Sequence, residues 1–185
     1  MKQKIFYGYS FIFEQSISVQ AKLIFLYLCK FADRAGKCFP SVRSMAQCCN
    51  ISKRSIFDHM RFLENEKIVS RDRRFRHDGT QTSNWYQINK LKDAWFTIPS
   101  MIFELEISAQ AKLVYMYLCY RANKENTCFP SRKAICEACT VGKTKLAEVL
   151  DELEQNGLLK KEIHFRDKRR GQTSNLYTIL DIECA

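Results

Sequence analysis

The chain has 185 residues, 46% of them hydrophobic, and a formal net charge of +10. This length is enough for one ordinary domain or two small ones, and the apolar content predicts packed cores and excludes a disordered chain. The apolar stretches are shorter than the roughly 18 residues of a membrane span, and the N-terminal residues lack the cleavage site of a secretory signal peptide. We therefore expect a cytoplasmic protein with no membrane partner.

The positive charge lies in the first half of the chain. Residues 1–92 hold 17 lysines and arginines against 7 acidic residues, whereas residues 93–185 hold 13 of each kind. A net positive charge attracts polyanions but does not define a fold. The distribution therefore predicts that the two halves differ in their attraction to a polyanionic partner.

An internal repeat determines the predicted domain organisation. FIFEQSISVQAKLIFLYLC, residues 11–29, matches MIFELEISAQAKLVYMYLC, residues 101–119, at an offset of 90. The offset becomes 91 in the octet QTSNWYQI, residues 81–88, which returns as QTSNLYTI at residues 172–179. A one-residue slip is tolerated at a surface hairpin tip but not inside a core strand. We predict two tandem domains, 1–92 and 93–185, joined through NKLKDA, which lacks the composition of a flexible linker.

The first domain begins with three predicted helices. Ser18 is placed to cap the first helix, which carries a wide apolar stripe, and Pro40 keeps the segment after it extended. Ser41 is placed to cap a short second helix, and Ser52 a third. One face of the third helix carries Ile56, Met60 and Leu63, and the second domain repeats this pattern with Leu146, Leu150 and Leu153.

A basic hairpin follows the third helix. KIVSRDRRFR, HDGT and QTSNWYQI have the composition of a strand, a tip and a returning strand. We expect Asn84 and Asn175 near the start of the returning strands, with Tyr86 and Tyr177 packed inward. The octet is therefore predicted to be structural, because its alternating apolar positions suit a half-buried strand.

Three helices followed by a two-stranded hairpin resemble the winged helix-turn-helix modules of plasmid and phage replication initiators and of DnaD-like primosomal proteins. The resemblance is carried by QAKLIFLYL, CFPS and NWY in the first copy, and by QAKLVYMYL, CFPS and NLY in the second. It covers nearly the whole chain. It implies a mainly α fold with small β-hairpin wings, arranged as two tandem winged-helix domains.

In a winged helix the third helix enters the major groove, and the wing and helix termini hold phosphates. The face of the third helix opposite its apolar residues is basic, and on its own it would fit a solvated surface equally well. The basic wing favours double-stranded DNA as the partner. The predicted DNA-binding residues of the first copy are Lys53, Arg54, Phe57 and Arg61 on the helix and Arg71, Arg73, Arg74, Arg76 and His77 in the wing.

The second copy departs from this pattern. Its third helix begins with basic residues but continues with Glu148, Asp151, Glu152 and Glu154, whose charges would repel a phosphate backbone that they faced. We expect this copy to touch DNA through its wing and helix N-terminus, or to bind a protein. Its predicted contacts are Lys143, Thr144 and Lys145 on the helix and Lys161, Arg166, Lys168, Arg169 and Arg170 in the wing.

The cysteines and histidines do not predict a metal site or an enzyme. Nine cysteines without an export signal indicate reduced thiols rather than a disulfide framework. A zinc site on Cys128, Cys136 and Cys139 would need a fourth ligand such as Cys119 or His164, and the repeat aligns Cys136 with Ala46. We expect no metal, no other cofactor and no enzymatic activity, since no phosphate loop or activated nucleophile is recognisable.

The resemblance implies sequence-selective DNA binding by a replication initiator or regulator of a plasmid, phage or other mobile element. Replication or transcription proteins would then be further partners. The alternatives are a transcriptional regulator and a non-enzymatic assembly module whose winged helices bind protein. A DNA affinity that falls steeply with salt concentration favours an initiator or a regulator. A protein complex that is insensitive to salt favours the assembly module.

Overall fold

The computed structural model of the chain describes residues 4–89, 94–163 and 174–182. These residues form helices and small antiparallel sheets in the same order twice. The α-helices are α1 (Val19–Phe31), α2 (Val42–Cys49), α3 (Lys53–Asn65), α4 (Ala109–Arg121), α5 (Arg132–Cys139) and α6 (Lys143–Gln155). The strands are β1 (Ile5–Tyr9), β2 (Lys37–Cys38), β3 (Val69–Asp72), β4 (Trp85–Ile88), β5 (Trp95–Pro99), β6 (Thr127–Cys128), β7 (Leu159–Glu162) and β8 (Leu176–Ile179). The predicted fold class, mainly α with small hairpin wings, is confirmed.

The helix N-termini are fixed by the predicted serine caps. The side chains of Ser18, Ser41 and Ser52 accept hydrogen bonds from backbone amides three residues later, at 3.0–3.1 Å. Such a bond satisfies one of the amides that has no partner within the first helical turn. Gly142, which precedes α6, has no side chain for this bond.

Each wing is part of a three-stranded sheet with the returning strand in its centre. The strand orders are β2-β4-β3 and β6-β8-β7, and both pairings of each central strand are antiparallel. Tyr86 and Tyr177 are buried in the central strands as predicted. The strands of the first wing are shorter than the sequence predicts, because β3 ends at Asp72 and only a single bridge, Phe75 to Gln81, extends the pairing. Beyond Asp72 the hairpin projects into solvent, and Phe75 is 57% exposed.

A further sheet joins the two halves and was not predicted from the sequence. Strand β1 pairs with β5 in antiparallel register, from Ile5 opposite Pro99 to Tyr9 opposite Trp95. The inward side chains Phe6, Phe96 and Ile98 are buried. A short 3-10 helix follows each strand, at Ser10–Phe13 and Ser100–Phe103.

Helices α1 and α4 form the centre of the molecule. Each packs on the two following helices of its own copy, and the two also pack on each other. Almost every residue of α1 from Val19 to Cys29 is therefore buried, including Lys22. The helix is buried on all sides rather than only along the predicted apolar stripe. The predicted domain boundary falls within residues 90–93, outside the described part, and stays a prediction. No described helix has the length and apolarity to cross a membrane.

Candidate nucleic-acid interface

Helix α3 presents a basic face to solvent. Its buried residues are Ile56, Met60 and Leu63, and the opposite side carries the predicted DNA contacts. The side chain of Phe57 is 45% exposed, which is unusual for a phenylalanine on a helix that packs against a core. Lys53, Arg54, Phe57 and Arg61 are all exposed, as the helical spacing predicts.

The first wing holds one arginine on an aromatic surface. The Arg74 guanidinium carbon lies 5.1 Å from the ring centre of Phe39 and 5.3 Å from that of Trp85. These two rings meet edge to face with centres 5.1 Å apart. Because the guanidinium is already held against the two rings, it loses little further side-chain freedom when a phosphate binds.

The tip of this wing is an ordered turn. The amide of Arg76 donates to the carbonyl of Thr80 at 2.9 Å, and Gly79 adopts a φ of 78°, which favours glycine. The Asp78 carboxylate accepts hydrogen bonds from the amide and hydroxyl of Thr80, which lower the pKa of Asp78. Arg73, Arg76 and His77 are exposed around this turn. The Asp78 carboxylate is thus engaged by the tip itself, while these cations face solvent.

Two predicted phosphate contacts instead join the wings to the helices behind them. Arg71 donates from Nη2 to Oε2 of Glu64 at 3.0 Å, with its Nε 2.7 Å from Oε1. Lys161, at the equivalent position, lies 2.8 Å from Glu154 and 3.1 Å from Asp151. Hydrogen bonding to Glu154 raises the pKa of Lys161. Both cations therefore have protein partners and are half-buried.

Helix α6 combines a basic start with a mixed acidic surface. Lys143, Thr144 and Lys145 are exposed at its N-terminus, and Lys145 pairs with Glu148 at 2.8 Å. Glu152 points toward the protein and accepts hydrogen bonds from the amide and hydroxyl of Ser108, both at 2.6 Å. Glu154 pairs with Lys161, as described above. Among the predicted repulsive carboxylates, Glu148 and Asp151 remain exposed.

The remaining predicted contacts of the second wing lie outside the described residues. They are Arg166, Lys168, Arg169 and Arg170.

Several residues beside these surfaces were not predicted from the sequence. Arg43 and its equivalent Lys133 are exposed on α2 and α5, the helices that precede α3 and α6. The Arg132 Nη2 donates to the Lys143 carbonyl at 3.5 Å and so reaches the start of α6. A basic residue at the same place in both repeats was a usable signal, because the helix before a recognition helix crosses the phosphate backbone. The Phe39 and Trp85 pair had no such signal, since its partners are distant in sequence.

The cysteines within the described ranges lie in or against the apolar core. Burial raises the pKa of Cys38 to about 12 and that of Cys128 to about 11. The described cysteines are free thiols, and Cys119 is half-buried although its counterpart Cys29 is buried. Within the described ranges, no group of three or more His, Cys, Asp or Glu side chains is arranged to hold a metal ion.

These features define the class of protein. Each copy has a short helix, a tight turn and an amphipathic helix with an exposed face, and this is the geometry of helix-turn-helix DNA-binding proteins. A family model described as a helix-turn-helix domain matches the chain twice, over residues 15–66 and 105–159. The chain therefore belongs to this helix-turn-helix domain family, whose members bind DNA through such domains. A comparison with curated proteins found no significant match.

Proposed function

We propose that the protein binds double-stranded DNA sequence-selectively, with α3 reading bases in the major groove. The observation that carries this proposal is the exposed face of Lys53, Arg54, Phe57 and Arg61 on an otherwise packed helix. Arginine can pair with guanine through two hydrogen bonds, and an aromatic ring can contact a thymine methyl. These are contacts that discriminate between base pairs.

The first wing supplies the phosphate contacts in this proposal. Arg73 and Arg76 are exposed, and Arg74 is held on its aromatic surface beside them. Phosphate contacts position a protein on the duplex and carry no sequence information of their own. Arg71 is left out of this set because its guanidinium is paired with Glu64.

The second copy contributes through the start of α6. Lys143 and Thr144 are exposed there, at the end of the helix whose amides favour an anion. Glu148 and Asp151 face solvent further along and limit contact by the rest of the helix. We therefore propose a weaker DNA contact for α6 than for α3.

The biological role that we propose is that of a replication initiator or a regulator of a plasmid, phage or other mobile element. The resemblance of the ordered motifs supports it, and the two matched helix-turn-helix domains agree with DNA binding. Protein partners from replication or transcription would follow from either role.

Selection of bound sites from random duplex DNA tests the proposed function. Arg54→Ala or Arg61→Ala should cost about 1–3 kcal/mol on the selected site and relax its sequence preference. Replacing Arg73 and Arg74 should weaken binding to every duplex alike and reduce the salt dependence by about one unit for each phosphate that the variant no longer binds. Lys124→Ala, at an exposed position in the turn between α4 and β6, serves as a charge-matched control. Unchanged site preference in both helix variants would contradict the assignment of α3.

A second candidate function is a protein-assembly module. Phe57 and Phe62 are both exposed on α3, at 45% and 39%, and exposed aromatic side chains are common in protein interfaces. This candidate predicts a complex that forms at high salt and no retardation of any duplex. The two candidates are therefore separated by a salt titration of DNA binding.

A further inference from the structure

The two halves of the chain are related by an approximate twofold axis rather than by a translation. Strands β1 and β5 occupy equivalent positions at the offset of 90, and their antiparallel pairing places Tyr7 opposite Thr97, its own equivalent. Two backbone hydrogen bonds just outside the sheet follow the same twofold relation. Ser10 N donates to the Ala94 carbonyl at 2.9 Å, and Ser100 N donates to the Lys4 carbonyl at 2.8 Å.

The side-chain contacts between the halves are reciprocal as well. Lys22 donates from Nζ to the Ala138 carbonyl, and Lys112 donates to the Cys48 carbonyl, both at 2.6 Å. The rings of Tyr27 and Phe103 meet edge to face at 5.0 Å, and those of Tyr117 and Phe13 do so at 5.1 Å. In an interface with twofold symmetry residue i contacts j while the equivalent of j contacts the equivalent of i. The chain thus contains an internal pseudo-dimer.

The N-terminal ends of α3 and α6 lie near this axis. A shallow cleft is lined by the equivalent residues Gln20 and Gln110, so the axis passes between them, and Ser52 and Ser55 at the start of α3 line the same cleft. On the other side the Thr140 hydroxyl, just before α6, donates to the Ile17 carbonyl at 2.9 Å. The turn before α6 is therefore bonded to the segment that precedes α1, and the last turn of α2 is bonded to α4 through Lys112.

The first wing lies further from the axis. Its Arg74 rests on Phe39, which precedes the N-terminus of α2, whereas Lys112 contacts the opposite end of α2 at Cys48. The eight residues of α2 separate these two ends by about 12 Å. The start of α3 therefore lies closer to the twofold axis, and the wing lies further out.

We propose that the DNA target has inverted symmetry, with its centre contacted by the starts of α3 and α6 and its outer flanks by the wings. This inference rests on the proposed function. A duplex has twofold axes perpendicular to its length, and a protein with twofold symmetry places equivalent elements on two half-sites in opposite orientation. A tandem repeat in sequence would suggest directly repeated half-sites, and the structure points away from that arrangement.

The base sequence of the natural target does not display this symmetry, because α3 and α6 carry different side chains. Arg54 and Arg61 of α3 correspond to Thr144 and Asp151 of α6. The two half-sites therefore differ in base sequence, even though equivalent elements of the protein contact them in opposite orientations along the duplex. A variant whose α6 carries arginine at both of these positions should reveal the arrangement.

The test is site selection with the double variant Thr144→Arg, Asp151→Arg beside the natural chain. Both substituted positions are exposed, and a thermal melt checks that the variant folds. The expected result is a site in which the bases that Arg54 and Arg61 read recur in inverted order. Synthetic duplexes carrying the α3 half-site twice should bind the variant about tenfold more tightly in inverted than in direct order. Direct repeats, or a single half-site with no second copy, would overturn the inference.

A footprint of the natural chain gives an independent measurement. Arg73→Ala with Arg74→Ala changes only the first wing, and it should remove hydroxyl-radical protection at one outer end of the site. Loss of protection at the centre would contradict the inferred order. If the natural protein selects no site at all, the proposed function fails; if it selects a site that becomes a direct repeat in the double variant, only the inverted symmetry fails.

Discussion

Lys22 and Lys112 show how single buried residues connect the two halves. Both side chains are almost fully buried, and burial lowers the pKa of each ammonium. Their carbonyl partners, Ala138 and Cys48, lie in the last turns of α5 and α2, where the helix dipole favours a cation. The sequence places these lysines in the repeated AKL step but does not show their partners, which are 116 and 64 residues away.

Removing the Lys22 ammonium should destabilise the fold. Lys22→Met keeps an apolar side chain of similar length but leaves the Ala138 carbonyl without its donor, so we expect a loss of about 1–3 kcal/mol in the free energy of unfolding. Urea denaturation followed by circular dichroism measures it. Lys133→Met is the control: Lys133 is 81% exposed and should change stability by no more than about 0.5 kcal/mol. Equal effects of the two substitutions would show that the buried contact contributes nothing.

The buried thiols predict that stability falls in alkaline solution. Burial raises the pKa of Cys38 to about 12, and it also raises the pKa of Cys49 and Cys139 above the ordinary 9.0. The unfolded chain therefore loses its thiol protons first. The contribution is fully present below about pH 8.5 and is lost as pH rises toward the folded-state values.

Urea denaturation between pH 7.5 and 10 tests this pH dependence. Each fully buried thiol should lower the free energy of unfolding by up to about 1.4 kcal/mol per pH unit above its unfolded-state pKa. A Cys139→Ala variant loses one such group and should show a shallower decline. A stability that stays constant across this range would contradict the burial of these thiols.

Among the elements, the β1–β5 pair depends on one glycine. The twofold relation brings position 8 close to its own equivalent, Ile98, so the two cannot both carry large side chains. A Cβ atom on Gly8 would lie 2.7 Å from Ile98 Cδ1 and 2.9 Å from Leu26 Cδ2. Both neighbours are fully buried, so neither can give way by moving into solvent.

Gly8→Ala should therefore lower the free energy of unfolding by about 1–3 kcal/mol through overpacking. Gly142→Ser is a matched control, because a Cβ atom there meets nothing within 4 Å. That change should raise stability by a few tenths of a kcal/mol, about the value of replacing a glycine cap by serine. Thermal melts of the two variants compare them directly. A tolerated Gly8→Ala would mean that the sheet joining the halves is loosely packed.

The elements that sequence analysis predicted are those with local signals. Ser18, Ser41 and Ser52 precede their helices directly, and each forms the expected cap. Strand β1 has only a short alternating pattern interrupted by Gly8, and its partner lies 90 residues away, so no local signal indicated the pairing. The exposed face of α3 followed from helical spacing, whereas the Arg71 and Glu64 pair required knowledge of how the wing packs on the helix.

For the whole molecule, the shared centre predicts that neither half is stable alone. Separate fragments 1–92 and 93–185 would expose the contact faces of α1 and α4 and the edges of β1 and β5. We expect each fragment to aggregate or remain partly unfolded, and the two to form a folded one-to-one complex when expressed together. Size-exclusion chromatography and circular dichroism distinguish these outcomes. Two stable monomeric fragments would instead support independent domains.

The pairing of β1 with β5 also affects how DNA occupancy depends on protein concentration. A helix-turn-helix homodimer falls apart on dilution, and its site then empties more steeply than a simple binding curve predicts. Here the two helix-turn-helix domains are parts of one chain. The short connection between Ile88 and Trp95 keeps the effective concentration of each domain near the other high at any dilution. Occupancy of the target by this chain should therefore rise with the first power of its concentration, even when only a few molecules are present in a cell.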